Sequence, residues 1–174
     1  MIEQELQQFS DFADDSRLWV FASSTPLSPE SSLELEQDLE GFVSTWKSHG
    51  RSVHGKCAVH LQCFILVVAD TTEELVSGCG IDSLVRAVES ALGKHGMRLH
   101  PPTAVWIYDE QTATATALEK ATIRNKLADR ELSPTVPVFN HSIQSLGELR
   151  TGKWCQPLEC STYRSAFANF LAES

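Results

Sequence analysis

The run Ser77-Gly78-Cys79-Gly80-Ile81-Asp82 sets a thiol between two glycines, just ahead of a well-patterned amphipathic segment. A helix N-terminus carries unpaired N–H groups and partial positive charge, so it can favour a thiolate and receive an anion. Cys79 is therefore the candidate nucleophile, and Ser77, Gly78, Gly80 and Asp82 are the candidate binding residues. Backbone N–H groups from Gly80 to Ser83 would hold the anion. Asp82 opposes a thiolate, so its side chain must point elsewhere or cap the helix. The same residues also have a purely structural reading. Gly78 and Gly80 would permit positive φ, Cys79 would fill a small buried space, and Asp82 would be a first-turn acid. A thiol enzyme would further need a base, for which His95, His100 and His141 are the available histidines.

Other groupings carry less. His54, Cys57, His60 and Cys63 stand three apart, a spacing that on a strand sends the two histidines to one face and the two cysteines to the other. Tetrahedral zinc needs four converging ligands, so no metal is expected. Cys155 and Cys160 lack metal-ligand spacing. Glu73-Glu74 and Asp109-Glu110 read as loop charges, and no Gly-x-Ser-x-Gly elbow occurs. No cofactor is expected.

The elements that would position the thiol turn follow from periodicity. Leu18–Ala22 is a compact run of strand formers. Ser28-Pro29-Glu30 opens a helix, with Leu35, Leu39, Phe42, Val43 and Trp46 on one face, and His49-Gly50 is expected to end it near Ser48. Lys56–Gln62 and Phe64–Ala69 read as an antiparallel hairpin, Ile81–Leu92 as a second helix, and Thr103–Tyr108 as a fourth strand. The order β-α-β-β-α-β matches a ferredoxin-like α+β fold: one four-stranded antiparallel sheet covered by two helices. Beyond it a C-terminal α/β extension is expected, with Thr112–Thr116 extended, Ala117–Arg130 helical and a short helix at Gln144–Leu149. The expected organisation is an acidic segment over 1–16, a core domain over 17–111 and a packed extension over 112–174.

Composition narrows the class. The chain has 174 residues, 42% of them hydrophobic and 21% charged, an ordinary globular balance. The net charge is −9, and residues 1–50 hold ten acids against Arg17 and Lys47. An acidic surface repels phosphate backbones, which argues against nucleic acid as a partner. The longest apolar run, Phe64–Ala69, is too short to cross a membrane. Residues 1–15 show neither a basic n-region nor an apolar h-region, so no signal peptide is expected. Five cysteines without regular spacing (Cys57, Cys63, Cys79, Cys155 and Cys160) fit reduced thiols in a cytoplasm.

Leu35-Glu36-Gln37-Asp38-Leu39-Glu40-Gly41-Phe42, then Trp46 and His49-Gly50, resemble a family of small conserved proteins known mainly from Bacteroidetes. The resemblance continues through Ser77-Gly78-Cys79 with Ile81-Asp82, Val138-Phe139-Asn140, Trp154 and Pro157-Leu158. Members often carry the label ABC transporter ATPase. The resemblance implies a compact protein and transfers no catalytic residues. A nucleotide site needs a Gly-x4-Gly-Lys-Ser/Thr loop, and the nearest dipeptide, Gly93-Lys94, is followed by His95 at a helix end.

Two classes of function stay open on the sequence. One is a non-enzymatic binding or regulatory module that meets a protein partner or another copy of itself. The alternative is a thiol-dependent enzyme or redox sensor acting through Cys79.

Overall fold

The computed structural model describes residues 3–71 and 75–171. In chain order its elements are α1 (Glu3–Gln8), β1 (Arg17–Ala22), α2 (Pro29–Thr45), β2 (Lys47–Ser48), β3 (Arg51–Ser52), β4 (Gly55–His60), β5 (Phe64–Ala69), α3 (Gly78–Lys94), β6 (Val105–Asp109), β7 (Thr114–Leu118), α4 (Lys120–Ala128), β8 (Pro137–Phe139), α5 (Leu146–Arg150), β9 (Cys155–Pro157) and α6 (Ala168–Leu171). The fold is mixed α+β with antiparallel sheets. The chain divides into two compact units, Met1–His100 with Ile143–Thr151, and Pro101–Ser142 with Gly152–Ser174.

The first unit is built on a three-stranded antiparallel sheet of order β1-β5-β4. Phe64-Ile-Leu-Val-Val-Ala69 has no polar side chain, and all six residues of β5 are buried, as a central strand covered on both faces requires. Trp19, Phe21, Cys57, Val59, Ile65, Val67 and Ala69 share one face with Leu35, Leu39 and Val43 of α2 and Leu84, Val88 and Leu92 of α3. Those helical residues recur three or four apart, which aligns them into one stripe. On the opposite face Leu18, Ala58, Phe64, Leu66 and Val68 are buried, and so are Phe9 and Phe12 in the segment after α1. Arg150 anchors that segment: its guanidinium donates to the carbonyls of Phe9 (3.0 Å) and Phe12 (2.9 Å) and pairs with Asp14.

Helix α2 starts as its sequence indicates, with Ser28 Oγ accepting from Ser31 N–H at 3.0 Å and Pro29 in the first turn. It ends earlier than expected. Trp46 has left helical geometry (ψ 133°), and His49-Gly50 forms the two-residue turn of the β2–β3 hairpin, with φ values of 50° and 80°. Positive φ at both central residues is the type I′ pattern that matches strand twist.

The expected four-stranded sheet does not form. The three earlier strands pair as predicted, but β6 belongs to a separate sheet of order β7-β6-β8-β9, so the strand order is not that of a ferredoxin-like fold. Beside β1, where a fourth strand would lie, the chain makes isolated bridges in place of a ladder: Ser145 to Arg17 at one end, and Leu99 to Ser23 at the other, flanked by His100 N–H to Ala22 O and Ser24 N–H to Arg98 O. Pro101 and Pro102 follow, and neither has an N–H to continue a ladder.

In the second unit, Val105, Ile107 and Val138 pack with Ile123 and Leu127 of α4 and with Leu158 and Phe167. On the other face of that sheet Phe139 packs against Trp154 with tilted rings at 4.8 Å and meets Tyr108 edge-on at 6.0 Å.

Candidate functional site

The thiol turn lies inside α3 rather than ahead of it. Ser77, at φ −66° and ψ 162°, is the N-cap, and its Oγ accepts from Gly80 N–H at 3.2 Å. Gly78 and Gly80 are helical and are absent from the glycines with positive φ, so the expected left-handed turn is not their role. Gly80 is instead closely packed: a Cβ there would stand 2.9 Å from Val76 Cγ1, a side-chain tip that would have to shift, and 3.4 Å from Ser48 Cβ.

Two residues distant in sequence hold this turn. Ser48 Oγ accepts from Ser77 N–H at 2.9 Å and lies 3.0 Å from Ser77 Oγ, and the buried Trp46 donates its indole N–H to Gly80 O at 3.0 Å. Neither was a sequence candidate. The signal that marks Ser48 is the His49-Gly50 turn, which places it at the tip of a hairpin instead of in a helix.

Cys79 is exposed, which corrects the buried-filler reading, and Asp82 is exposed as well. The anion cradle expected over Gly80–Ser83 is already engaged: Ser77 takes Gly80 N–H on its Oγ and Ile81 N–H on its carbonyl. Asp82 and Ser83 donate within the helix. Only Gly78 and Cys79 keep first-turn N–H groups without a partner among the described residues. No expected base reaches the thiol within the first unit. His95 caps the far end of α3, sixteen residues or roughly 24 Å along the axis from Cys79. His100 pairs with Ala22, at the end of the sheet away from the start of α3. His141 belongs to the other unit.

The other cysteines differ chemically. Burial pushes the Cys57 thiol up to about 12, with the carboxylates of Glu36 and Glu40 adding to it, and burial alone takes Cys63 to about 12. Cys155 is raised to about 11, chiefly by burial and further by Glu110. Cys57 packs in the α2–α3 core while His54 stacks on Phe12 at 4.8 Å, so their divergence is as the strand period implies. Cys63 lies in the turn between β4 and β5, not on a strand. Among the described residues no group of three His, Cys, Asp or Glu side chains is placed to share a metal ion.

Among the described residues, two clefts stand outside this turn. One, of about 330 Å³, runs between α2 and the end of α3, where Lys94 pairs with Asp38 at 2.7 Å and His95 Nδ1 lies 3.8 Å from Glu34. The other, of about 440 Å³, lies beyond the end of α4, among Leu127, Leu132, Pro134, Phe170 and Arg130.

Sheet edges offer a different kind of site. An edge strand presents N–H and C=O groups that another chain can pair with, unless it is covered or carries charge, proline or a bulge. The outer edge of β1 is closed by Gln144 O, which accepts from Leu18 N–H, and by Arg98 and His100 at its other end. Along β4, Gly55, Cys57 and Val59 face outward, because His54 O and His60 O bond toward β5. That edge carries Lys56 and lies beneath α2, with Cys57 Sγ 3.7 Å from Glu36 O. On β9 the outward positions include Pro157, which has no N–H.

For β7 the orientation follows from the ladder. Asn140 N–H donates to Trp154 O and Leu158 N–H to Val136 O, so even-numbered residues there face β9, and Pro137 and Phe139 face β6. Phe139 is registered on Trp106, which therefore faces β8, leaving Val105, Ile107 and Asp109 to face β7. Their partners are Leu118, Thr116 and Thr114. Ala115 and Ala117 thus turn their N–H and C=O groups away from β6, where no backbone partner meets them among the described residues; Ala115 is buried at 6% exposure and Ala117 is half-buried. The strand Thr114-Ala-Thr-Ala-Leu118 has no charge and no proline.

The chain matches no family model, no curated protein and no solved structure. No helix among the described residues is long and apolar enough to cross a membrane.

Proposed function

We propose that this chain is a non-enzymatic binding module that takes an extended protein segment as an added antiparallel strand on β7. The observation that supports it is the phase of β7, a strand without charge or proline on which Ala117 turns its backbone outward, while Ala115 is covered at 6% exposure. Main-chain hydrogen bonds would supply the affinity, and the alternating Thr and Ala side chains would set the register. A protein partner in a reducing cytoplasm suits the acidic first unit better than nucleic acid does.

The test uses a fluorescent synthetic peptide with the sequence of residues 112–119, titrated against the intact chain and read by anisotropy. Saturable binding is expected, and Ala117→Pro should abolish it. That substitution removes an outward N–H and spares the β6 ladder, so its circular dichroism should match wild type. Equal binding by wild type and a folded Ala117→Pro variant, or no binding by either, refutes the proposal.

A second reading rests on the exposure of Cys79 in the first turn of α3: a thiol-dependent activity or redox sensor. It predicts that Cys79 is alkylated much faster than the other exposed thiol, Cys160, in mass-spectrometric labelling of the native protein. Equal rates leave Cys79 an ordinary surface thiol.

A further inference from the structure

We infer that the cleft at the end of α4 binds a small apolar molecule with a carboxylate head, an aliphatic or aromatic monocarboxylate, held by Arg130. The cleft shares no lining residue with β7, so this site stands apart from the strand-addition reading.

The walls are apolar and incompletely covered. Leu127 is buried, whereas Leu132, Pro134 and Phe170 are half-buried and border a space of about 440 Å³. Small-ligand sites span about 300–1,000 Å³, with apolar walls for affinity and a few polar groups for orientation.

The end of α4 sets a cation beside that space. Glu131 N–H donates to Lys126 O at 2.8 Å and Arg130 N–H to Leu127 O at 3.1 Å, the two bonds of a Schellman cap. Arg130 thereby takes the left-handed position (φ 58°), which glycine or asparagine ordinarily fills. A long cationic side chain there carries a conformational cost that glycine would avoid.

Charge selects the ligand. Arg130 is the one charged residue in the lining, and its guanidinium has no hydrogen bond or ion pair among the described residues. Glu131 is committed to Lys126 at 3.0 Å, and Asp129 does not line the cleft. The other polar side chain in the lining, Ser133, is bonded to Thr135 at 2.7 Å. The carbonyls of Lys126 and Leu127 accept from the capping N–H groups, which blunts the negative end of the helix. A guanidinium meets a carboxylate through two parallel N–H···O bonds, and one guanidinium balances one negative charge. A monocarboxylate therefore fits this site better than a dianionic phosphate, and an amine does not fit it.

The experiment titrates sodium octanoate into the intact, isotope-labelled chain and follows backbone amide shifts by nuclear magnetic resonance. Saturable shifts are expected at Ala128, Arg130 and Leu132, and octylamine should produce none. Asparagine tolerates left-handed φ, so Arg130→Asn removes the charge and keeps the cap. It should weaken octanoate about ten-fold, equivalent to about 1.4 kcal/mol. Ala128→Phe fills the cleft from an exposed position and should abolish binding. The inference is overturned by an absence of saturable shifts in the wild-type chain, by shifts centred outside the cleft, by unchanged affinity in Arg130→Asn, or by octylamine binding as tightly as octanoate. A leucine-ending peptide that binds about ten-fold more tightly than octanoate, and loses binding as its amide, would reassign the cleft to a protein C-terminus and overturn the small-molecule assignment.

Discussion

Adding a single methyl group at two different glycines should shift stability in opposite directions. Gly55 opens β4, and a Cβ there would lie 2.9 Å from Val68 O, 3.2 Å from Val43 Cγ1 and 3.5 Å from Trp46 Cζ3. The nearest of these is a backbone atom of the fully buried central strand, so it cannot retreat as a side-chain tip would. Overpacking of this kind costs about 1–3 kcal/mol, offset by the 0.4–1 kcal/mol that alanine gains by restricting the unfolded chain. Gly55→Ala should therefore destabilise by about 1–2 kcal/mol. Gly41 sits within α2 with nothing inside 4 Å of its added Cβ. There only the helix preference acts, and Gly41→Ala should stabilise by about 0.5–1 kcal/mol. Urea unfolding followed by circular dichroism reads both. With a slope of about 1–3 kcal/mol per molar urea, the two midpoints should move apart by roughly 0.5–3 M in total. A Gly55→Ala midpoint at or above wild type would show that the close approach to Val68 is not the constraint described, and a lowered Gly41→Ala midpoint would refute the helix argument.

Ser77→Ala removes the N-cap of α3 and the partner of Ser48, and should cost about 1–2 kcal/mol in the same assay; a neutral change would mean that the cap is dispensable. His49→Asn places a residue tolerant of left-handed φ in the β2–β3 turn and should stabilise by on the order of 0.5 kcal/mol, read as a higher melting temperature. Cys57 and Cys63 are raised to about 12 in the folded chain, against about 8.5 for a free thiol. The unfolded chain therefore loses these protons first as pH rises. Their contribution is fully present below about pH 8.5 and is lost progressively up to about pH 12, on the order of 5 kcal/mol for each thiol across the window. Urea midpoints should fall steeply above pH 9, and Cys57→Ala with Cys63→Ala should flatten that slope; an unchanged slope would exclude the two thiols as its cause.

Locally encoded features were legible in the residues themselves. Ser28-Pro29 supplies a cap and a pre-set φ, so the start of α2 needs no distant contact. The unbroken apolar run of β5 can only be a strand covered on both faces, and the stripe on α3 already states which side it buries. The start of α3 was not legible, because Gly78 and Gly80 disfavour helix, and the Ser77 cap that holds them is itself held by Ser48, with Trp46 bonded to Gly80 O, some thirty residues earlier. The extent of α3 and the pairing of His100 put His95 and His100 away from Cys79, which stays on the surface. Strand partners were undetermined as well: the residues of β6 suit any antiparallel neighbour, and Pro101-Pro102 interrupts pairing with β1 without naming the alternative. Whether β7 has an open edge is a property of the whole second sheet. Side-chain alternation marks its faces, but which backbone groups turn outward depends on a hydrogen-bond phase carried across β9, β8 and β6, and that phase exists only once the four strands are assembled.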